Sequence, residues 1–204
     1  MPSATGLVQG YGEAPPEEHL RAVVYRLLAG LLSEAPDRAR LEAIGNIAGD
    51  GTAFGDALGA LAAAARHTDP ATLARQFHDL FIGVGRGELV PYESYYLTGF
   101  LQEKPLAKLR RDMEKLGIAR DPAVGDPEDH IASVLEIMAG LIDGDFGRPG
   151  SLDDQHRYFT EHVASWAPVL FRDLEAVTTA PLYTALGKAG RLFLEIEERA
   201  FAYA

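Results

Sequence analysis

From Glu17 to Ser33 the chain reads EEHLRAVVYRLLAGLLS, with apolar side chains at Leu20, Val23, Val24, Leu27, Leu28, Leu31 and Leu32. Steps of three and four put these positions on one stripe, the pattern of a helix buried along one side. The same spacing recurs in DRARLEAIGNIA, FGDALGALAAAARH, PATLARQFHDLFIG and KPLAKLRRDMEKLG, where Asp and Pro residues mark helix starts. It returns in DPEDHIASVLEIMAGLI, in SLDDQHRYFTEHVASWAPVLFRDLEAV and in APLYTALGKAGRLFLEIEERAFA. Pro168 is predicted to kink the second of these or divide it in two. No segment alternates apolar and polar residues for long enough to predict a strand. The expected fold is all-α, a single-chain helical bundle.

One stretch interrupts the pattern. GIARDPAVGD, Gly117 to Asp126, gathers Gly, Pro and Asp, which break helices. The chain is therefore expected to consist of a flexible tail (1–16), an N-terminal helical part (17–118), a hinge (119–126) and a C-terminal helical part (127–204). A hinge of this kind permits two chains to exchange halves, so a homodimer is one expected form.

Composition narrows the function classes. With 204 residues and 47% hydrophobic content the chain has material for a real core. It has no cysteine, which excludes disulfides, zinc-thiolate sites and iron-sulfur ligation and is simplest in a cytoplasmic protein. The opening MPSATGLVQGYGEAPPEE lacks a basic stretch followed by an apolar one and is not read as an export signal. ALGALAAAA falls far short of the roughly 20 apolar residues that span a bilayer, so no stable membrane insertion is expected. A net charge of -11 speaks against nucleic acid and for basic partners, because the basic cluster KLRRDMEK is interleaved with acids.

Two segments carry candidate chemistry. In GDPEDHIASVLEIM, Gly125 to Met138, Asp126 suits an N-cap and Pro127 the first helical position. Glu128 and Asp129 then stand where the helix dipole favours negative charge. With no HExxH and no Glu-x-x-His, this is expected to be a helix start and not a metal site, with no cofactor bound. Capping leaves His130 unexplained. An enzyme using Asp129 and His130 with a metal would need the His-Asp order and further matched histidines, so catalysis is not expected. In FHDLFIGVGRGELVPYESYYLTGF, Phe77 to Phe100, GVGRG follows a helix and lacks the Lys-Ser/Thr ending of a phosphate loop. Ser94 stands in no G-x-S-x-G elbow. The tyrosines of PYESYY suit either a partly wet groove or the edge of a core.

Together, FHDLFIGVG, PYESYY and PEDH resemble the motifs of the TorD/DmsD/NarJ-type redox-enzyme maturation chaperones. Tyr25 to Leu28, His162 to Pro168, and a closing helix with Leu192, Phe193 and Glu195 stand in the order that family has, over nearly the whole chain after the tail. Phe77 replaces the more usual Trp or Tyr, and Asp126 the more usual Glu. The resemblance implies a cytoplasmic, non-enzymatic chaperone. Its partners would be the molybdopterin-containing catalytic subunit of a molybdenum or tungsten oxidoreductase and that subunit's twin-arginine signal peptide, and it would assist cofactor insertion before export. The alternative is a NarJ-like assembly factor that acts on the subunit without recognising a signal peptide. A leader that is basic and then apolar requires acids beside an apolar groove. By resemblance the groove contacts are Tyr25, Phe77, Leu80, Phe81, Pro91, Tyr92 and Ser94. Asp129 and His130 would lie at the neighbouring hinge, with Glu128 as an arginine partner. Leu80 and Phe81 satisfy a core stripe equally well.

Overall fold

The computed structural model describes residues 16–85, 87–120 and 125–203. Among them the α-helices are α1 (Pro16–Ser33), α2 (Arg38–Gly45), α3 (Ala53–Arg66), α4 (Pro70–Phe77), α5 (Glu93–Thr98), α6 (Lys104–Lys115), α7 (Ile131–Asp143), α8 (Leu152–Tyr158), α9 (Ala167–Glu175) and α10 (Pro181–Ala202). Two π-helical turns, His78–Ile82 and Phe159–Ala164, extend α4 and α8. No strand occurs among the described residues; an isolated antiparallel bridge joins Tyr92 to His130. Residues 1–15 of the expected tail and 121–124 of the expected hinge lie outside the described residues.

Local chemistry sets the helix starts. Asp37, Thr52 and Asp69 accept hydrogen bonds from Arg40, Gly55 and Thr72 N–H groups at the heads of α2, α3 and α4, and Ser151 with Asp154 forms a capping box on α8. The predicted division at Pro168 is present: helical structure breaks at Ser165–Trp166, and α9 restarts with Pro168 in its first turn, where no N–H is needed.

The buried face of α1 is rotated from the one its sequence predicts. Ala22, Tyr25, Leu28, Ala29, Leu31 and Leu32 are buried, whereas Leu20 and Val23 are 64% and 45% exposed. Small residues at 22 and 29 leave room for a neighbouring helix, and among the described helices the main partner of α1 is α7. Ten of the thirteen α7 residues are buried, as a helix surrounded by others requires. On the other side α10 packs against α9 and α3. A Cβ on Gly187 would lie 2.3 Å from the Glu175 backbone nitrogen, so glycine is needed where α10 meets the end of α9. One hydrophobic cluster takes in residues from Ala22 to Ile118 and from Ile131 to Phe201, so the two helical parts share a core. No described helix is long and apolar enough to cross a membrane.

Candidate functional site

The PEDH segment is not the head of a helix. Residues 125–130 form a turn in which the His130 N–H donates to the Pro127 carbonyl at 3.0 Å, and α7 begins only at Ile131. The expected N-cap role of Asp126 therefore falls to His130, whose Nδ1 accepts from the Ala132 N–H at 3.2 Å. An acceptor at Nδ1 leaves the ring proton on Nε2. Burial lowers the His130 pKa below its ordinary value, and Asp126 and Asp129 offset this only in part. The histidine that helix capping by Asp126 could not explain is itself the cap.

Asp129 serves a different helix. Its Oδ2 accepts from the Ser94 N–H at 3.0 Å, and its carbonyl accepts from the Glu93 N–H at 2.9 Å. In return the Pro91 carbonyl accepts from the Ile131 N–H at 2.9 Å. The heads of α5 and α7 are thus tied reciprocally, satisfying N–H groups that each helix leaves free. Tyr92 completes the junction: its ring meets His130 edge-to-face at 5.0 Å, and its hydroxyl donates to Asp126 at 2.9 Å.

Glu128 turns the other way, toward α6. Its side chain is only 9% exposed, and Arg110 donates to Oε2 through Nε and Nη2 at 2.9 and 2.7 Å. Arg120 Nε lies 3.3 Å from Oε1. Burial acts upward on this carboxyl, but the Arg110 hydrogen bonds, a backbone hydrogen bond and the charges of Arg110 and Arg120 together outweigh it, and the net shift is downward. Beside this ion cluster a groove of about 380 Å³ opens between α1, α6 and α7. Ala29, Met113, Ile118, Ala132 and Ile137 give it apolar walls, and the carboxylates of Asp126, Glu128, Glu136 and Asp145 line it as well.

The remaining residues singled out in the sequence are dispersed. Tyr25 is fully buried in the core, its ring edge-on to Phe193 at 4.8 Å and its hydroxyl donating to Glu197 at 2.9 Å. Its ring and hydroxyl are both engaged inside the core, away from the groove beside Glu128. Leu80, Pro91 and Ser94 are also buried, the last with its Oγ accepting from the Gln102 N–H at 3.2 Å. Phe77 and Phe81 are half-buried and pack on each other at 5.0 Å and on Tyr183 of α10. They line none of the groove beside Glu128. The structure brings together Tyr92, Glu128, Asp129 and His130, with Pro91 and Ser94 beneath them.

Sequence reasoning passed over Arg110, Arg120 and the groove walls, because ion pairing between α6 and a distant turn leaves no local signature. His162, which the family resemblance includes but gives no role, is buried with its ring nitrogens 3.4 Å from Glu93 and 3.1 Å from Asp112. Burial raises the Glu93 carboxyl, although His162 offsets part of that shift. At Asp112 burial also acts upward, but hydrogen bonds from Lys115, His162 and Lys108 prevail and hold the pKa at about 2. These residues pin α5 and α6 to the π turn after α8. Among the described residues no group of three His, Asp or Glu side chains is placed to hold a metal ion.

A family model described as nitrate reductase delta subunit matches residues 48–172. The chaperone protein TorD of Vibrio cholerae serotype O1 (strain ATCC 39315) is 27% identical over 130 residues, covering 60% of this chain and 59% of that protein. TorD of Vibrio vulnificus (strain CMCP6) is 31% identical over 124 residues, covering 57% of each. Both matches span less than two thirds of those relatives. TorD of Aliivibrio fischeri is 28% identical over 172 residues, with 72% and 79% covered. A crystal structure from Archaeoglobus fulgidus, described as a candidate redox enzyme maturation protein, superposes with a TM-score of 0.55 at 23% identity, covering 92% of this chain and 99% of that one. It shares the fold.

Proposed function

Because the chain belongs to the nitrate reductase delta subunit family, we propose that it is a cytoplasmic maturation chaperone for a molybdenum or tungsten redox enzyme, and that it receives the client's twin-arginine leader in the groove beside Glu128. The observation that carries this is one groove with apolar walls that Asp126, Glu128, Glu136 and Asp145 also line, Glu128 and Asp145 being paired to arginines of the chain, and such a groove suits a segment that is basic and then apolar. The relatives named TorD are chaperones, and they support a role in assisting another protein over catalysis. Half-buried Tyr92 adjoins the groove through its hydrogen bond to Asp126, while His130 is buried behind it and would act by holding the turn in place. Phe77 and Phe81 would belong to a separate contact near Tyr183.

Leu97, Phe100 and Leu101 are 46%, 69% and 51% exposed on and just after α5, and they favour a second possibility: the chain holds the folded subunit and ignores its leader. Calorimetric titration separates the two. A synthetic peptide with an Arg-Arg pair before an apolar stretch should bind, and its association should slow as salt rises. Ser133→Trp, which fills the groove from its wall, should weaken binding by about tenfold or more while the protein melts near the parent temperature. Unchanged binding by that variant would remove the groove from the function. Binding of a leaderless subunit alone would favour the second possibility.

A further inference from the structure

His162 bridges two carboxylates and has too few hydrogens for both. Its Nε2 lies 3.1 Å from Asp112 Oδ2, and its Nδ1 lies 3.4 Å from Glu93 Oε1. A neutral imidazole carries one N–H and a carboxylate carries none, so the second of these contacts closes only around an added proton. Asp112 does not hold that proton, because Lys108 and Lys115 also donate to its carboxylate and keep it ionised. The proton therefore lies between Glu93 and His162, whose side chains are 2% and 1% exposed.

The surroundings place it on Glu93. Glu93 Oε2 and Asp129 Oδ1 are buried acceptors that receive no hydrogen bond among the described residues, and the Asp129 charge acts on Glu93. An ionised Glu93 would set a second buried negative charge beside the first, which costs more than keeping one of the two neutral. From α6 the charge of Lys108 also reaches Glu93, but that ammonium is engaged by Asp112 and by Glu161 of the π turn, while Tyr158 of α8 faces the site uncharged. Burial chiefly raises the Glu93 carboxyl, with His162 and Lys108 acting against it and Asp129 for it. As an acid, Glu93 donates to Nδ1 while the Nε2 proton goes to Asp112, and both contacts are satisfied. We infer that Glu93 is held as a neutral carboxylic acid whose proton latches the head of α5 onto the π turn Phe159–Ala164, and that loss of this proton at alkaline pH unseats α5. A carboxyl raised above its ordinary 4.5 contributes stability that is complete below 4.5 and is lost as pH climbs through the folded value. Because α5 follows directly on Tyr92, unseating it also frees the Tyr92–His130 junction. The latch does not depend on the peptide groove.

The test reads the proton and the seating of α5 separately, on the full chain. Infrared spectroscopy of the parent at about pH 6 should show the carbonyl stretch of a buried carboxylic acid that Glu93→Gln lacks, and this band should fade towards about pH 9. Trp166, the one tryptophan of the chain, reports on α5: its ring lies 5.6 Å from Tyr96, and its Nε1 donates to the His162 carbonyl at 2.7 Å. Its fluorescence should shift to the red over the same interval while far-ultraviolet circular dichroism holds. Glu93→Gln cannot ionise and keeps a donor for Nδ1, so its fluorescence should stay level. Asp129→Asn serves if that variant melts early: with the neighbouring charge removed, Glu93 should release its proton at lower pH, and the fluorescence shift should move down with it. The latch is overturned if the parent has no acid band that Glu93→Gln removes, or if the band survives to about pH 9 with the fluorescence unchanged. The same fluorescence shift in Glu93→Gln, or an unmoved one in Asp129→Asn, overturns it as well.

Discussion

The carboxylate of Asp129 caps the helix that contains Ser94, 35 residues earlier in the chain, and not the helix that follows it. The N-cap residue of α5 is Tyr92, which supplies no side-chain acceptor of its own, so the acceptor arrives from across the junction. Asp129→Ala should lower stability in urea by about 1 to 2 kcal/mol, the cost of a lost cap. Asp129→Asn, which keeps an acceptor oxygen, should lose less than about 1 kcal/mol. An alanine variant as stable as the parent would show that this contact contributes nothing.

Acid should loosen the same junction through His130. Its pKa in the folded chain is depressed below the ordinary 6.5, chiefly by burial, so the unfolded chain takes up the proton first. The stabilisation held by the neutral ring is fully present above 6.5 and is lost as pH falls through the lower folded value. Protonation removes the Nδ1 acceptor that holds the Ala132 N–H. His130→Asn, a cap that does not titrate, should flatten the decline in melting temperature over that interval. An equally steep decline in the asparagine variant would move the effect to another group.

Tyr25 should report on stability alone. Its hydroxyl and the guanidinium of Arg21 share the buried carboxylate of Glu197. Tyr25→Phe removes one donor to a buried charge and should cost about 1.5 to 3 kcal/mol. Affinity for the Arg-Arg peptide should not change. Weaker peptide binding at an unaltered melting temperature would return Tyr25 to the binding surface.

Most of the helical architecture is legible from one sequence, because it is written locally. Three-four spacing marks α1 and α10, Asp37 and Asp69 announce α2 and α4, and Pro168 divides α8 from α9. Asp-Pro-Glu-Asp carries the local signs of a helix start as well, and there the signs mislead. Asp129 is drawn to α5 and Glu128 to Arg110, so the helix begins at Ile131. The stripe of α1 was misplaced for a related reason: Leu20 is apolar, but burial follows the position of α7, which the α1 sequence does not contain. Family motifs located the Tyr92–His130 junction. They could not reveal that Tyr25 belongs to the core, since a motif records which residues recur and not which way they point.

The anchoring of α1 also bears on how the chain is made. Arg21 and Tyr25 meet Glu197 across 176 and 172 residues, and the main packing partner of α1, α7, lies more than 90 residues downstream. At roughly 5 to 20 residues per second of synthesis, Arg21 and Tyr25 wait about 9 to 35 seconds before Glu197 is translated. Among the described helices α1 is made before all its partners, so its apolar side waits for α7 and its polar anchor for Glu197, and the surface left open meanwhile is of the kind that nascent-chain binding factors shield.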